Sequence, residues 1–347
     1  MHSHQSLDVP ESYGYGEPLP FISVVVRSYN RIPTLCQLLE TLLRQDYPQF
    51  EVVVVEQTAR IPASHAAELA RLSADPRIRV IHRPPLGGAG ARNAGVAAAK
   101  GELFVFIDDD DLPQDETFLR KHVEALDDPN CMGVSGRLAD PNRPLQPVNP
   151  LLFVITRTLS YDPLLKIPLT YVQHDRRCIP VQAILGSNAS LRRSAWQRFG
   201  GWDVDTSIED EVSFCMRALK GKRPEEYFAY DPRPVMFRKK DVAGGLDKRQ
   251  MSLGRYQREY LRFVHTILGR YHPLRVICLY PLYLIVSYAV SVGWVCAHSL
   301  RYRSFPARVW VAIAMLVLLP LHVFQVLFGQ LRKHMTVRRR LSPPGSA

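Results

Sequence analysis

Leu103-Phe104-Val105-Phe106-Ile107, followed at once by Asp108-Asp109-Asp110-Asp111, is the stretch from which the fold of this chain is read. Five unbroken apolar residues fit a strand buried on both faces, as in a parallel sheet covered by helices. Four adjacent carboxylates follow at the end of that strand, at the edge where a sheet of this kind meets its ligands. The same form recurs upstream. Residues 22–27 (ISVVVR) are bounded by Ser28-Tyr29-Asn30, residues 52–55 (VVVV) end at Glu56, and residues 78–81 precede Pro84-Pro85. Between them, Leu35, Leu38, Leu39, Leu42 and Leu43 recur at helical spacing over 34–44, and an alanine-rich segment over 89–100 reads as another helix. Strands alternating with helices predict a parallel α/β sheet. Ligands of such sheets sit beyond the carboxyl ends of the strands, which singles out Asn30, Glu56 and Asp108 to Asp111.

Further along, residues 139–182 are rich in proline and poor in periodicity, and read as an irregular insertion beside the site. Order is expected to return over 183–191, with helices over 209–220 and 246–268. Apolar residues make up 46% of the 347 residues, enough for a full core. The net charge of +11 is unevenly spread: residues 1–230 carry 25 Lys and Arg against 29 Asp and Glu, whereas residues 231–347 carry 19 against 4. A basic tail fits either nucleic acid or an anionic membrane. Here it wraps two uncharged stretches, 276–300 and 309–331, each long enough to cross a bilayer and bracketed by Arg275 and Arg301 or by Arg308 and Arg332. Membrane attachment is therefore expected, and nucleic-acid binding is not. Tyr280, Tyr283, Ser287, Ser291, Trp294 and His298 form a semi-polar stripe on the first stretch, so helices lying in the interface stand as the alternative to a spanning hairpin. The six cysteines show no paired metal-ligand spacing and read as reduced thiols. The expected organisation is a loose polar leader over 1–20, a catalytic domain over 21–270, a membrane-associated helical hairpin over 271–335 and a basic flexible tail over 336–347.

Four carboxylates in a row repel one another unless a cation neutralises them, and oxygen ligands on a short turn suit Mg2+ or Mn2+. A solvated acidic turn is the structural alternative. Leu86-Gly87-Gly88-Ala89-Gly90-Ala91-Arg92 offers glycines, a helix start and a guanidinium to a diphosphate, although glycine there also permits close helix–sheet packing. Gly200-Gly201-Trp202-Asp203 leads to Glu209-Asp210, an acidic pair that opens a helix and suits either the helix dipole or a base beside a reacting hydroxyl.

Taken in order, ISVVVRSYNR, LLETLLRQDYPQFEVVVVE, GGAGARNAGVAAAKGELFVFIDDDD, GSNASLRRSAWQRFGGWD and the ED pair with a later Arg217 resemble a family 2 glycosyltransferase over residues 21–220. The resemblance implies the GT-A fold, Rossmann-like with a mostly parallel sheet, here followed by a C-terminal pair of hydrophobic helices. It also implies a nucleotide-diphosphate-sugar donor, a divalent metal and inversion at the anomeric carbon. On this resemblance Asp108 and Asp110 match the DXD motif, with Asp108 toward the ribose and nucleotide and Asp110 on the metal. Ser28, Asn30 and Arg31 match the loop that embraces the nucleotide, and Arg92 the arginine near the diphosphate. Glu56 stands where the family usually has Asp, which leaves the base open. Asp210 matches the catalytic base, with Glu209 beside it, and Asn188 and Trp202 fall at the sugar pocket. No His follows the last core strand, where the sequence reads VMFRKK over 235–240; Lys239 or Lys240 meeting the phosphates and a basic membrane-facing loop are the two readings. The expected reaction is sugar transfer to an acceptor hydroxyl, carried by a lipid-linked glycan in envelope or exopolysaccharide assembly at the cytoplasmic face of the membrane. The alternatives are a polyprenyl-phosphate sugar synthase, a sugar nucleotidyltransferase and a non-catalytic membrane scaffold.

Overall fold

A computed structural model describes residues 19–139, 178–205 and 210–238. The chain opens with β1 (Ile22–Ser28), α1 (Ile32–Leu43), β2 (Phe50–Glu56), α2 (Ala63–Leu72), β3 (Ile78–His82), α3 (Gly87–Ala98) and β4 (Leu103–Asp108). There follow β5 (Asp111–Pro113), α4 (Phe118–Glu124), β6 (Cys131–Ala139), β7 (Ile179–Val181), β8 (Ala189–Arg192), α5 (Arg193–Phe199), α6 (Asp210–Gly221) and β9 (Tyr227–Arg238). The described strands form one sheet in the order β3-β2-β1-β4-β8-β6-β9-β5, with β7 added on β9.

The first half is the parallel sheet that the sequence predicts. β1 pairs in parallel with β2 and β4, and β2 with β3. Beyond β4 the sheet is mixed: β8 runs against both β4 and β6, β5 and β7 run against β9, and only β6 and β9 are parallel. The expectation of a mostly parallel sheet therefore describes one half. Strands of three or four residues such as β5, β7 and β8 carry no periodic run from which direction can be read.

Side chains alternate across the sheet and feed two cores. Ile22, Val24 and Val26 of β1 and Leu103, Val105 and Ile107 of β4 meet Leu35, Leu38, Leu39 and Leu42 of α1. Each of these four leucines is 0% exposed, and burial of one such side chain contributes about 1.5–3 kcal/mol. Pro33 in the first turn of α1 costs no hydrogen bond, because that amide has no helical partner. On the other face Val25, Phe104 and Phe106 pack with Ala89 and Val96 of α3, Trp202, and Phe214 of α6. Helix α3 lies close to the sheet because it is built from small residues. A Cβ at Gly95 would collide with the Val25 side chain and press tightly on that of Val55.

Among the described residues no helix is long and apolar enough to cross a membrane. The stretches 276–300 and 309–331, the helix expected over 246–268, Lys239, Lys240, Glu209 and residues 140–177 of the insertion lie outside the described residues.

Candidate active site

The alternation that builds the core also assembles the site. Arg27 and Asp108 are register partners at the ends of β1 and β4, on the face that carries Val25 and Phe106. They form a bidentate pair, Arg27 Nε donating to Asp108 Oδ1 at 2.6 Å and Nη2 to Oδ2 at 2.8 Å. Arg92 reaches the same place from α3, donating to Asp108 Oδ1 at 3.3 Å and to Asp210 Oδ2 at 3.0 Å. Asp210 is the first residue of α6, where a carboxylate is favoured by the helix dipole. A side chain at Gly88 would collide with the Arg27 guanidinium, so the glycine loop admits this arginine.

The rest of the acidic turn is held from two other directions. Arg31 Nη1 pairs with Asp109 Oδ1 at 2.7 Å and with Asp110 Oδ2 at 2.9 Å, and the Tyr29 amide donates to Asp109 Oδ2 at 3.2 Å. At the end of β9, Arg238 clasps Asp111 with Nε to Oδ1 at 2.9 Å and Nη2 to Oδ2 at 3.0 Å. Asp108, Asp110 and Asp111 each offer a carboxylate oxygen within 4.8 Å of the others. Hard oxygen donors at this spacing fit a Mg2+ or Mn2+ ion, and Asp110 and Asp108 are the ligands nearest solvent, since Asp111 is 0% exposed.

Charge at the site is tuned by burial against arginine. Burial alone raises the Asp108 carboxyl, but Arg27 and Arg92 outweigh it and hold it well below the ordinary carboxylate range. Asp210 is likewise lowered, its burial overcome mainly by Arg92. Asp109 is pushed up to about 6 by burial and by the charges of Asp110 and Asp108, against the pull of Arg31. Asp110 is raised too, by burial and then by Asp111. Two carboxylates are thus firmly ionised and two are strained by ionisation, a state that a divalent cation relieves.

The loop side of the site is formed by β1 and β2. Ser28 and Glu56 are register partners, each 1% exposed. Glu56 Oε1 accepts from the Thr58 amide at 2.6 Å, while Glu56 Oε2, Ser28 Oγ and Arg31 Nε find no partner among the described residues. Buried polar atoms left open in this way point to a ligand or water. Asn30 adopts a left-handed conformation, φ 58°, and its amide donates to Thr58 Oγ1. Gln57 ties the rim together, donating to the Ser28 carbonyl and accepting from the Leu86 amide.

Arg31, Arg92, Asp108, Asp110 and Asp210 are therefore brought together, with Ser28, Asn30 and Glu56 along one side; Glu209 lies outside the described residues. The two expected sugar-pocket residues are placed differently. Asn188 is 0% exposed, and its side chain is spent on His122, the Arg137 carbonyl and the Pro234 carbonyl. It is a buried junction with a left-handed φ of 54°. Trp202 is 2% exposed among Phe106, Trp196 and Phe214, with the Arg92 guanidinium 6.0 Å from its ring. Its indole Nε1 has no partner among the described residues. Sequence reasoning missed Arg27, Ser187 and Arg238. A charge closing the apolar run 22–27 was the signal for the first. Arg238 sat one residue before the lysines that drew attention.

The family model for glycosyl transferase family 2 matches residues 23–199. The chain is 29% identical over 205 residues to the uncharacterized glycosyltransferase YwdF of Bacillus subtilis, covering 58% of this chain and 69% of that one. It is 34% identical over 112 residues to the succinoglycan biosynthesis protein ExoO of Rhizobium meliloti, covering 32% of this chain and 31% of ExoO. Other curated relatives are likewise matched over only 13–36% of their own length. Among solved structures, the mannosyltransferase PcManGT of Pyrobaculum calidifontis, in complex with GDP-Man and Mn2+, shares the fold with a TM-score of 0.51 at 18% identity, covering 88% of this chain and 87% of that one.

Proposed function

The chain belongs to glycosyl transferase family 2, and from that premise we propose that it transfers a sugar from a nucleotide-diphosphate-sugar to an acceptor hydroxyl, with inversion and with a divalent metal. The observation that carries this reading is the meeting, at one sheet edge, of the acidic turn Asp108–Asp111 with the Arg92–Asp210 pair. Asp210, ionised and held by Arg92, accepts the proton of the acceptor hydroxyl at its carboxylate. Ser28, Asn30, Arg31 and Glu56 bind the nucleotide, with Glu56 Oε2 and Ser28 Oγ as open buried partners for it. Asp110 and Asp108 would hold a divalent ion, and Mg2+ or Mn2+ bound there would supply positive charge to the departing diphosphate. Arg31 and Arg92 add positive charge beside it. The same fold with GDP-Man and Mn2+ in PcManGT supports a donor and metal of this class.

The likeness to ExoO, named for succinoglycan biosynthesis, supports polysaccharide or envelope assembly as the setting. Membrane attachment through 271–335 at the cytoplasmic face, with a lipid-linked acceptor, is the part of the proposal that rests on sequence. One observation favours a second reading. Arg92 lowers the basicity of Asp210, which matters little if the acceptor is a polyprenyl phosphate already ionised. The test is release of nucleoside diphosphate from a panel of nucleotide-sugars by the full chain, with Mn2+ and with EDTA, in the presence of membrane lipid. Turnover that needs the metal and yields a glycosylated hydroxyl supports the reading; release of pyrophosphate, or no turnover on any donor, refutes it.

A further inference from the structure

Ser187 stands between the acidic turn and β8. It is 5% exposed. Its hydroxyl donates to Asp111 Oδ2 at 2.6 Å and accepts from the Asp108 amide at 3.3 Å. One oxygen atom therefore touches the first and the last residue of the turn. Asp111 also carries Arg238 on both of its oxygens, so its carboxylate is closed on itself even though it lies near enough to Asp108 and Asp110 to share an ion. Asp110, by contrast, is paired with Arg31 alone among the described residues.

The position of Ser187 is fixed by its neighbour. Asn188 sits at φ 54°, a left-handed conformation that asparagine tolerates and that its hydrogen bonds here hold in place. Its amide donates to the Phe106 carbonyl on β4, and its carbonyl accepts from Gly136 on β6. Its side-chain amide donates to the carbonyls of Arg137 and Pro234, and Oδ1 accepts from His122 Nε2 at 3.0 Å. Burial lowers His122 to about 4, so its ring is neutral and Nδ1 accepts from the Ser190 hydroxyl. Strands β4, β6 and β9 and helix α4 are thus all fastened to the residue beside Ser187.

We propose that Ser187 is a positioning residue for the divalent-cation site: its hydroxyl, anchored by the Asn188 junction, fixes the spacing between the ends of the acidic turn and hence the bite of Asp108 and Asp110 on the ion. The inference rests on the reading of the turn as a cation site. Groups that hold metal ligands from behind typically change metal affinity 10–100-fold when removed.

The test is a Mn2+ titration of the full chain followed by electron paramagnetic resonance of the free ion. Ser187→Ala is expected to weaken Mn2+ binding about 10-fold. Ser187→Cys, close in size but a weak donor, is expected to follow Ala, and Ser187→Thr, which keeps the hydroxyl, to restore binding. If Ala and Cys variants with intact melting transitions bind Mn2+ as the wild type does, the positioning role is refuted while the cation site stands. If the wild-type chain binds no Mn2+, the cation reading falls and the role of Ser187 falls with it.

Discussion

Removal of Arg92 tests the electrostatic arrangement of the site most directly. Its side chain is 5% exposed and joins Asp108 of β4 to Asp210 of α6. In Arg92→Met the two carboxylates fare differently. Asp108 keeps its bidentate Arg27 partner, whereas Asp210, 11% exposed at its side chain, loses its ion-pair partner among the described residues. Breaking a buried pair by deleting one partner costs about 3–5 kcal/mol. With one carboxylate stranded rather than two, and some solvent reaching it, the lower end applies, about 3 kcal/mol. For a domain of this size that is a fall in Tm of roughly 6–12 °C. Arg92 is the largest of the influences that lower Asp210 against its burial, ahead of Glu211 and Arg27, so in the variant its carboxyl rises. The acidic limb of the pH–rate profile then moves to higher pH. Arg92→Lys, which restores a point charge without the two-way fork, should recover part of both effects. The assays are urea or thermal melts and the pH dependence of sugar transfer by the full chain. A variant within about 1 kcal/mol of wild type, with an unmoved acidic limb, would refute the view that Arg92 sets the ionisation of Asp210.

Asp110→Asn should fold normally and lose at least ~100-fold in rate, since charge stabilisation on the order of 3 kcal/mol is removed; activity that persists, or that survives EDTA in the wild type, speaks against the metal. Protons should compete with the ion at the turn. The buried carboxyls of Asp109, at about 6, and Asp110 are raised above the ordinary 3.8, so the folded chain takes up protons there that the unfolded chain does not. The contribution of Asp109 to stability is greatest below pH 3.8 and is lost as pH rises through about 6, and that of Asp110 is likewise lost as pH rises, whereas that of Asp108 and Asp210 is lost as pH falls below 3.8. Mn2+ should therefore bind more weakly at pH 5 than at pH 7, with proton release measured by calorimetry in two buffers, and equal affinity at both would contradict the shifts. For the tail, the full chain should stay with the membrane fraction through high salt and carbonate if 276–300 and 309–331 span the bilayer; recovery in the soluble fraction without detergent would overturn the attachment.

In the parallel half β1, β2 and β4 were legible because they are buried on both faces and carry apolar runs closed by a polar residue, whereas β3, IRVIH, is half-buried at the end of the sheet. Asp108 and Glu56 were found by that rule, since a carboxylate ending such a run must lie at the sheet edge. The mixed half was not legible. β8 is four residues, ASLR, and owes its place to pairing with β4 and β6 rather than to its own pattern. Asn188 illustrates the limit within the site. An asparagine before a short strand reads equally as a ligand-binding group or as a left-handed turn residue, and only the carbonyls of Arg137 and Pro234, distant in sequence, decide between them.

The arginines show a different limit. A run of four aspartates announces itself, but the groups that make it tolerable come from β1, the loop after it, α3 and β9. Arg27, Arg31, Arg92 and Arg238 face Asp108 to Asp111 and Asp210, so the cluster is close to neutral before any ligand arrives. A nucleotide diphosphate brings negative charge and a divalent ion brings positive charge, and the two together disturb this balance far less than either does alone. Asp108 and Asp111 are clasped bidentately, and Arg92 is shared between Asp108 and Asp210. Arg31 touches Asp109 and Asp110 through a single nitrogen, and its Nε is open. Arg31 sits on the loop that the family resemblance implies for the nucleotide. On the proposed function, metal at Asp110 and phosphate at Arg31 would be coupled, since each would separate the same ion pair and so lower the cost of the other. Mn2+ should accordingly tighten nucleoside diphosphate binding to the wild-type chain by more than it does in Arg31→Ala, and equal enhancement in the two would break the link.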